Sequence, residues 1–284
     1  MNSTTIVVGE SSAIPMEIIQ KYGMYSLPFT VDWEEGKNID GQTIFEKMRN
    51  AKKQGLKTTP KTSQPPIGAY KKSYDEIIAK GNDVVCITVS SKISGSYNSA
   101  IQAKKMLNED AQQRIFIIDS LNVDVSEALL AIKAAELAEQ GLSAEEIYKS
   151  IDVSKVHLFG MVESPRWLEA GGRISNTVAN ILETAQKMGL RPVLGIKDGF
   201  VKPTTVKMKA KDTAEALFKE LQGLKNPKLR IGISHGDNIE EALRLEQMIK
   251  EKLPESKIEF INMISIVIGA HVGPGALLVC ALEN

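Results

Sequence analysis

Residues 83–100 of the chain read DVVCITVSSKISGSYNSA, and this stretch decides the fold class. Residues 84–89 are a nearly continuous apolar run, which is typical of a strand buried on both faces of a parallel sheet. A loop rich in serine follows at residues 90–96, and a helical pattern begins after it. A strand that leads into a helix is the repeating unit of α/β folds. The loop should therefore lie at the carboxyl end of a parallel strand, where open α/β sheets bind ligands.

The first half of the chain repeats this alternation of strand and helix. One strand-like run, residues 4–9, precedes residues 84–89 in the sequence, and another, residues 114–120, follows them. Amphipathic helical patterns separate these runs. We therefore predict an N-terminal α/β domain over residues 1–155, with a mainly parallel sheet and flanking helices.

From about residue 157 the pattern becomes mixed. Two strand-like segments meet at Asp198-Gly199, a dipeptide that favours a hairpin turn and therefore antiparallel pairing. Further strand-like runs alternate with helical patterns at residues 177–188, 211–222 and 238–251. We predict a second α/β domain over residues 156–284, with a mixed sheet.

Composition excludes several classes of protein. The 35 basic and 35 acidic side chains cancel, so the chain lacks the overall positive charge that favours nucleic acid or an anionic membrane surface. The first residues do not have the pattern of a signal peptide, and no run approaches the roughly 20 apolar residues of a membrane-spanning helix. Cys86 and Cys280 lie in apolar, strand-like runs. We predict buried, reduced thiols and a cytoplasmic protein with no nucleic-acid partner.

The familiar catalytic signatures are missing from the sequence. It contains no GxxxxGK[ST] phosphate loop, no GxGxxG after the first strand, and no HExxH, CxxC or GxSxG motif. His157, His235 and His271 are far apart and do not have the spacing of metal ligands. We therefore predict no metal site.

Two hydroxyl-rich loops remain as candidate sites. Residues 58–66 (TTPKTSQPP) are too rich in proline for a helix or a central strand, and we expect an extended loop that presents Thr62 and Ser63, either to a ligand or as a helix cap. In the loop after residue 90, Ser94 or Ser96 could cap the next helix. Alternatively, this loop could bind an anion, since Gly95 would let backbone amides approach it.

Two further residues could contact a ligand. Arg173, in EAGGRISN, is either a solvated charge or a donor fork for a carboxylate or phosphate. His271 has glycine at positions 269, 273 and 275, and is either satisfied by a backbone carbonyl or held close to a ligand. On paper Ser94, His271 and Asp119 could form a hydrolytic triad, but the sequence does not show that they meet.

Four of these stretches occur in an order that resembles a known family. They are KTSQPP (61–66), SSKISGSYNSA (90–100), GGRIS (171–175) and IGAHVGPGALLV (268–279). Together they resemble the DegV family of bacterial fatty-acid-binding proteins. Residues 30–41 and 118–141 also look like the family's pattern, so the resemblance covers nearly the whole chain.

The resemblance implies two α/β domains with a long-chain fatty acid buried between them. It also implies the role of acyl-carrying subunit of a bacterial fatty acid kinase, which is a lipid-binding carrier and not itself an enzyme. A separate ATP-dependent kinase subunit would phosphorylate the bound carboxylate, and the product would enter phospholipid synthesis. The expected partners are therefore a fatty acid and the kinase catalytic subunit, with no cofactor.

The resemblance also assigns roles to residues. Ser94 matches the hydroxyl that binds the carboxylate, Thr62 and Ser63 match the polar loop at the head group, and His271 matches the head-group histidine. Arg173 matches an arginine implicated in work with the kinase partner. Secondary candidates in the same loops are Gly95, Ser96 and Gly273.

Two of the segments that depart from the family's pattern lie in the N-terminal half of the chain. Members usually have a Thr/Ser-Asp-Ser-Ser-like loop after the first strand, whereas residues 9–12 here are GESS. The family also has a glycine-rich segment where this chain has EAL at residues 127–129. We expect these bulkier residues to narrow or reshape the tunnel, so chain-length preference cannot be carried over.

Two alternative functions remain open at this point. In the first, His271 is a transient phosphate acceptor in a phosphotransfer protein, which requires an exposed ring nitrogen. In the second, the chain is a serine hydrolase that uses Ser94, which requires an oriented base and an oxyanion site.

Overall fold

The computed structural model describes residues 3–56, 58–207 and 211–283. In the N-terminal half the strands are β1 (Thr4–Gly9), β2 (Tyr25–Leu27), β3 (Thr30–Asp32), β4 (Lys61–Ser63), β5 (Asp83–Thr88) and β6 (Ile115–Asp119). The helices of this half are α1 (Met16–Tyr22), α2 (Ile44–Lys53), α3 (Ile67–Ala79), α4 (Ser96–Lys105), α5 (Glu109–Gln113), α6 (Val125–Glu139) and α7 (Ala144–Ser150).

In the C-terminal half the strands are β7 (Val156–Met161), β8 (Arg191–Lys197), β9 (Phe200–Lys207), β10 (Leu229–His235), β11 (Lys257–Met263) and β12 (Leu277–Glu283). The helices are α8 (Arg166–Ala170), α9 (Asn176–Lys187), α10 (Thr213–Leu221), α11 (Ile239–Lys252) and α12 (Ile266–Val272). Short 3-10 turns occur at Glu10–Ser12, Glu35–Asn38 and Val153–Lys155.

The first sheet is parallel throughout and has the strand order β2-β1-β5-β6. Strand β5 lies inside this sheet, and its residues from Val84 to Thr88 are all buried. The prediction of a strand buried on both faces is therefore confirmed. The prediction of a parallel sheet in the N-terminal half is confirmed as well.

A small second sheet holds one of the candidate loops. Strands β3 and β4 pair in antiparallel fashion, with Val31 opposite Thr62 and Thr30 opposite Ser63. Within residues 58–66, which we expected to form an extended loop, residues Lys61–Ser63 thus form a three-residue strand. Its pairing with β3 fixes which of its side chains face the protein.

The third sheet is mixed and has the order β11-β10-β12-β7-β8-β9. Only β10 and β11 pair in parallel; the other pairs are antiparallel. The predicted hairpin joins β8 and β9, with φ of 54° at Asp198 and 81° at Gly199. The prediction of a mixed sheet in the C-terminal half is confirmed.

Helix α6 lies between the two large sheets and contacts β1 and β5 on one side and β10 and β12 on the other. Its first two turns are buried around their whole circumference, as is usual for a helix inside a protein rather than on its surface. The hydrophobic cluster around α6 contains residues of both halves. The division at residue 155 therefore stays a prediction about the chain, while the core itself is continuous.

Polar contacts also join the halves. Arg230 of β10 donates to Glu136 of α6 through Nη2 at 2.8 Å and to Glu259 through Nε at 2.7 Å. At the other end, Ser90 Oγ donates to the carbonyl of Gly199 at 2.8 Å. The Arg230–Glu136 and Ser90–Gly199 bonds thus each join residues of the two halves.

Two expectations from the sequence concern the burial of the cysteines and the character of the helices. Cys86 and Cys280 are fully buried and free, as predicted. Within the described residues, none of the helices has both the length and the apolar character needed to cross a membrane.

Candidate functional site: a cavity between the sheets

A cavity of about 300 Å³ lies between the two halves of the molecule. Most of its wall is apolar, and its polar groups come from a few short segments. The lining residues are Ser11, Phe29, Thr62, Gln64, Val89, Ile93, Ser94, Gly95, Val123, Leu168, Arg173, Val201, Val267, Ile268, His271 and Val272.

The apolar end of the cavity continues toward the C-terminal sheet. A smaller space of about 40 Å³ shares five wall residues with the first. Its remaining walls come from β7, β8 and β12, and among the described residues its lining contains no charged side chain. The two spaces adjoin, and all polar side chains of their combined lining belong to the larger one. We call the part of the larger space that these polar side chains line the polar end. The shared residues are Val123, Leu168, Val201, Ile268 and Val272.

Thr62 and His271 form the centre of the polar end. Thr62 Oγ1 lies 2.8 Å from His271 Nε2, within hydrogen-bonding distance. Strand β4 carries Thr62, and His271 lies in the last turn of α12, a helix that Ser265 caps by accepting from Ile268 N. The two elements contact each other, so residues far apart in sequence form one polar unit.

The His271 ring is buried and neutral at physiological pH. Burial is the main cause that lowers its pKa, to about 4, and the positive charge of Arg173 lowers it further. Nδ1 is buried without a hydrogen-bond partner. A neutral imidazole carries one N–H, and Thr62 carries one O–H, so their mutual bond uses one of two hydrogens. When Nε2 carries the ring hydrogen and donates it to Thr62 Oγ1, the Thr62 O–H remains for a ligand.

Ser94 lies at the opposite side of the polar end, just before α4. Its Oγ is 3.1 Å from Ser96 Oγ and accepts a hydrogen bond from Ser96 N at 3.2 Å. Ser94 and Gly95 line the cavity, whereas Ser96 is buried behind them. The N-cap residue of α4 is Gly95, which makes no side-chain cap bond, so neither Ser94 nor Ser96 caps the helix as the capping alternative predicted. The bond from Ser96 N to Ser94 belongs to the turn that precedes the helix, and Ser94 lines the cavity.

Arg173 spans the two halves at the edge of the cavity. Its guanidinium donates to the carbonyl of Gly171 and, at 3.1 Å, to the carbonyl of Ile93. Partial burial lowers its pKa, although an arginine remains charged throughout the physiological range. It places positive charge beside His271.

Ser63 is not where the sequence prediction put it. Successive side chains of a strand point to opposite faces, and in β4 this turns Thr62 inward and leaves Ser63 exposed. Ser63 does not belong to the cavity lining. Its predicted role at the head group is therefore not supported by its position.

The glycines near His271 lie close to other side chains of the protein, which leave no space for a Cβ atom. A Cβ on Gly273 would lie 2.1 Å from Trp167 Cδ1, and one on Gly269 would lie 2.7 Å from Phe45 Cζ. Gly273 also has a φ of 75°. Gly273 does not belong to the cavity lining, so its predicted contact with a ligand is not supported by its position.

Of the lining residues that were not singled out from the sequence, Ser11 and Gln64 are polar and Phe29 is aromatic. Ser11 follows β1, a neighbour of β5 in the sheet, so it could have been identified from the rule that placed Ser94. Gln64 lies over Gly95, where a Cβ would be 2.7 Å from Gln64 Nε2. No local signal marks Phe29, which reaches the cavity through its position before β3.

The structure also shows where residues 9–12 and 127–129, which depart from the family's pattern, lie relative to the cavity. Glu10 is exposed and accepts a hydrogen bond from Phe29 N at 3.3 Å. Residues 127–129 do not line the cavity, so they do not narrow it directly as we expected. Instead Glu127 is fully buried behind Ser11, whose Oγ lies 2.9 Å from Glu127 Oε2.

The geometry does not assemble the alternative sites. His271 bonds to Thr62 rather than to Ser94, and Asp119 Oδ1 accepts from the backbone amides of Ser91 and Leu121. His271 is only 7% exposed, which does not suit a phosphate acceptor. In the described part of the chain, no cluster of three or more His, Cys, Asp or Glu side chains is arranged to hold a metal ion.

Comparison with known proteins gives likenesses over nearly the whole chain. The model of the DegV family, described as uncharacterised protein, matches residues 3–284. A DegV domain-containing protein of Clostridium perfringens is 33% identical over 253 residues, covering 87% of this chain and 85% of that protein. A fatty acid-binding protein of Thermotoga maritima is 30% identical over 284 residues, covering 96% of this chain and 95% of that protein.

A solved structure agrees with these sequence matches. The crystal structure of a stearic acid-binding protein from Eubacterium ventriosum has a TM-score of 0.81 and 26% sequence identity. The alignment covers 99% of this chain and 98% of that one. The architecture described above is therefore shared with a protein whose ligand is a fatty acid.

Proposed function

This chain belongs to the DegV family, and we propose that it binds a long-chain fatty acid in the cavity between its sheets. The observation that carries the proposal is that all polar side chains of the lining belong to the larger space, whereas the adjoining smaller space is lined by apolar residues. A fatty acid has the same division. The protein is a carrier in this proposal, and the covalent chemistry takes place at another protein.

The polar end suits a carboxylate. Removing a carboxylate from water costs several kcal/mol unless donors replace the lost hydrogen bonds. Ser94 and the Thr62–His271 pair supply hydrogen-bond donors at this end. Arg173 supplies the compensating charge nearby. We assign the head group to Thr62, Ser94 and His271, and we omit Ser63.

The apolar remainder suits a hydrocarbon chain. Each buried methylene stabilises a complex by about 0.8 kcal/mol, so a long chain needs few polar contacts to bind tightly. The walls are mostly valine, leucine and isoleucine from both halves of the molecule. The acyl chain would therefore help to hold the two halves together.

We further propose that the bound carboxylate is presented to a separate ATP-dependent fatty acid kinase, which transfers the γ-phosphoryl group of ATP to it. The acyl phosphate would then be passed to phospholipid synthesis. The resemblance of the four motifs supports this role, and so does the lack of a known nucleotide-binding motif in the sequence. In this role Arg173, at the edge of the cavity, is the predicted kinase contact.

The two alternatives have less support. A phosphate-accepting histidine needs an accessible nitrogen, whereas one nitrogen of His271 bonds to Thr62 and the other is buried. A hydrolase needs a base on its serine, and His271 does not bond to Ser94.

The kinase step is tested with a kinase catalytic subunit encoded by the same genome. The subunit is incubated with ATP and oleic acid, with or without this chain, and acyl phosphate is trapped as the hydroxamate. We expect product only when this chain is present, and less product with Ser94→Ala. Equal product without this chain would contradict the carrier role. The exposed Ser63→Ala variant is the control and should behave as the wild type.

A further inference from the structure

Ser11 connects the cavity to a buried carboxyl group. Ser11 is one of the residues that line the cavity, and its Oγ lies 2.9 Å from Glu127 Oε2. Ser11 is 1% exposed and Glu127 is fully buried in the first turn of α6. Glu127 is therefore one hydrogen bond away from any ligand that contacts Ser11.

No positive charge compensates Glu127 in the described surroundings. The ionisable groups that face it are Asp124 at the start of the same helix, Tyr70 of α3 and Cys86 of β5. All three are acids, and Oε1 of Glu127 has no hydrogen-bond partner. Burial raises the pKa of Glu127 well above its ordinary value. The hydrogen bonds with Ser11 and with the Gly9 backbone oppose this increase, and the nearby Asp124 adds to it. The neutral acid is the form that this environment favours.

We propose that Glu127 is a positioning residue for the head group: it keeps a proton on Oε2, donates it to Ser11 Oγ, and so turns the Ser11 O–H into the cavity. This inference rests on the proposed function, since the group that receives the Ser11 hydrogen is the fatty-acid carboxylate. No proton leaves Glu127, and no bond other than hydrogen bonds changes.

The direction of the hydrogen bond decides what the cavity presents. A serine has a single hydrogen. If Glu127 were ionised, it could only accept, and Ser11 would spend its hydrogen on Glu127 and present lone pairs to an anionic ligand. With the proton on Glu127 the direction reverses, and Ser11 becomes a donor to the ligand. Ser11 then joins Ser94 and the Thr62–His271 pair.

The test compares oleic acid with oleyl alcohol, which has the same chain without the carboxylate. Dissociation constants are measured at about pH 8.5, above the pKa of about 7 of Asp124, so that Asp124 is mostly ionised. The variants are Ser11→Ala and Glu127→Gln, whose amide can still donate to Ser11. The control is Ser12→Ala, because Ser12 is equally buried but donates to the carbonyl of Gly9.

We expect Ser11→Ala to weaken oleic acid binding about ten- to a hundred-fold, the usual effect of losing a hydrogen bond to a charged group. Binding of oleyl alcohol should change much less. Glu127→Gln should bind both compounds about as well as the wild type, and Ser12→Ala should too. Unchanged binding of oleic acid in Ser11→Ala would overturn the inference. So would a gain of tenfold or more in Glu127→Gln, because it would mean that the wild-type carboxyl is charged.

Infrared spectroscopy supplies a second readout that does not depend on how the variants bind. The empty wild-type protein should show the carbonyl band of a protonated carboxyl group at this pH, and the band should be missing from Glu127→Gln. Oleic acid should shift the band and oleyl alcohol should not. Absence of such a band contradicts this inference alone. Failure of the wild type to bind either compound contradicts the proposed function.

Discussion

Thr62 Oγ1 and His271 Nε2 lie 2.8 Å apart, although 209 positions separate the two residues in the chain. Strand β4 turns Thr62 inward, and the last turn of α12 brings His271 to it. The pair closes the polar end of the cavity from both halves of the molecule. Head-group recognition in this account therefore depends on the two halves being docked.

The pair itself is tested by Thr62→Val, which keeps the shape of the side chain and removes the hydroxyl. We expect oleic acid to bind about tenfold more weakly or worse, because the His271 ring loses its partner and the carboxylate loses a donor. Titration of the purified variant with oleic acid measures the change. Ser63→Ala, one residue along the strand but exposed, should leave the affinity unaltered. Equal losses in both variants would contradict the assignment.

Gly171 tests how the His271 ring is held. A Cβ at this position would lie 2.2 Å from His271 Nδ1, whereas the φ of −77° suits any residue. Gly171→Ala should therefore push the ring out of place, lower the free energy of unfolding by about 1–3 kcal/mol and weaken oleic acid binding. Urea denaturation and ligand titration check the two effects. Gly68→Ala is the control, because nothing lies within 4 Å of a Cβ there.

Arg230 tests the connection between the halves. Its side chain is 13% exposed and bonds to Glu136 and Glu259. Arg230→Ala removes the bond to Glu136 and leaves Glu259, which is 7% exposed, with Lys257 as its remaining ion-pair partner. The loss of these hydrogen bonds to charged groups should lower the free energy of unfolding by about 1.5–3 kcal/mol. The exposed pair of Lys71 and Asp75 provides the control, since Lys71→Ala should cost less than about 1 kcal/mol. Similar losses of stability in the two variants would show that Arg230 does not stabilise the contact between the halves.

Titration of the buried Asp124 carboxyl should make the free energy of unfolding depend on pH. Burial raises its pKa from 3.8 to about 7, so between these values the folded protein holds a proton that the unfolded chain has released. The free energy of unfolding contributed by Asp124 therefore falls as pH rises, by about 4 kcal/mol in total across that window.

Asp124→Asn removes this loss, because the amide does not ionise. The difference in free energy of unfolding between the variant and the wild type should shift in favour of the variant as pH increases from about 4 to about 7, within the window set by Asp124. Urea denaturation at several pH values measures it. The difference for Asp40→Asn, at an exposed position, should stay nearly constant. A constant difference for Asp124→Asn as well would show that its carboxyl is not perturbed.

Much of the fold could be predicted from local patterns. The apolar run of β5 predicted a parallel strand buried on both faces, and Asp198-Gly199 predicted the hairpin. The polar loops that follow parallel strands also predicted the edge of the sheet at which Ser94 lies. These features depend on a few neighbouring residues, which is why a sequence can reveal them.

Other features depend on contacts that a sequence does not contain. The pairing of β4 with β3 decides that Thr62 faces inward and Ser63 outward, and a shift by one residue would reverse them. The glycine at position 273 suggested approach by a ligand, but the side chain that approaches it is Trp167. Glu127 resembles a helix-surface residue in its local pattern, and only the docking of α6 between two sheets buries it.

Native mass spectrometry of the purified protein tests the central claim most directly, followed by extraction and identification of the released molecule. The account predicts one long-chain fatty acid per chain in the wild type, and its loss in a folded Ser94→Ala/His271→Ala variant. A protein that is empty, and remains empty when offered saturated and unsaturated fatty acids, would contradict the account.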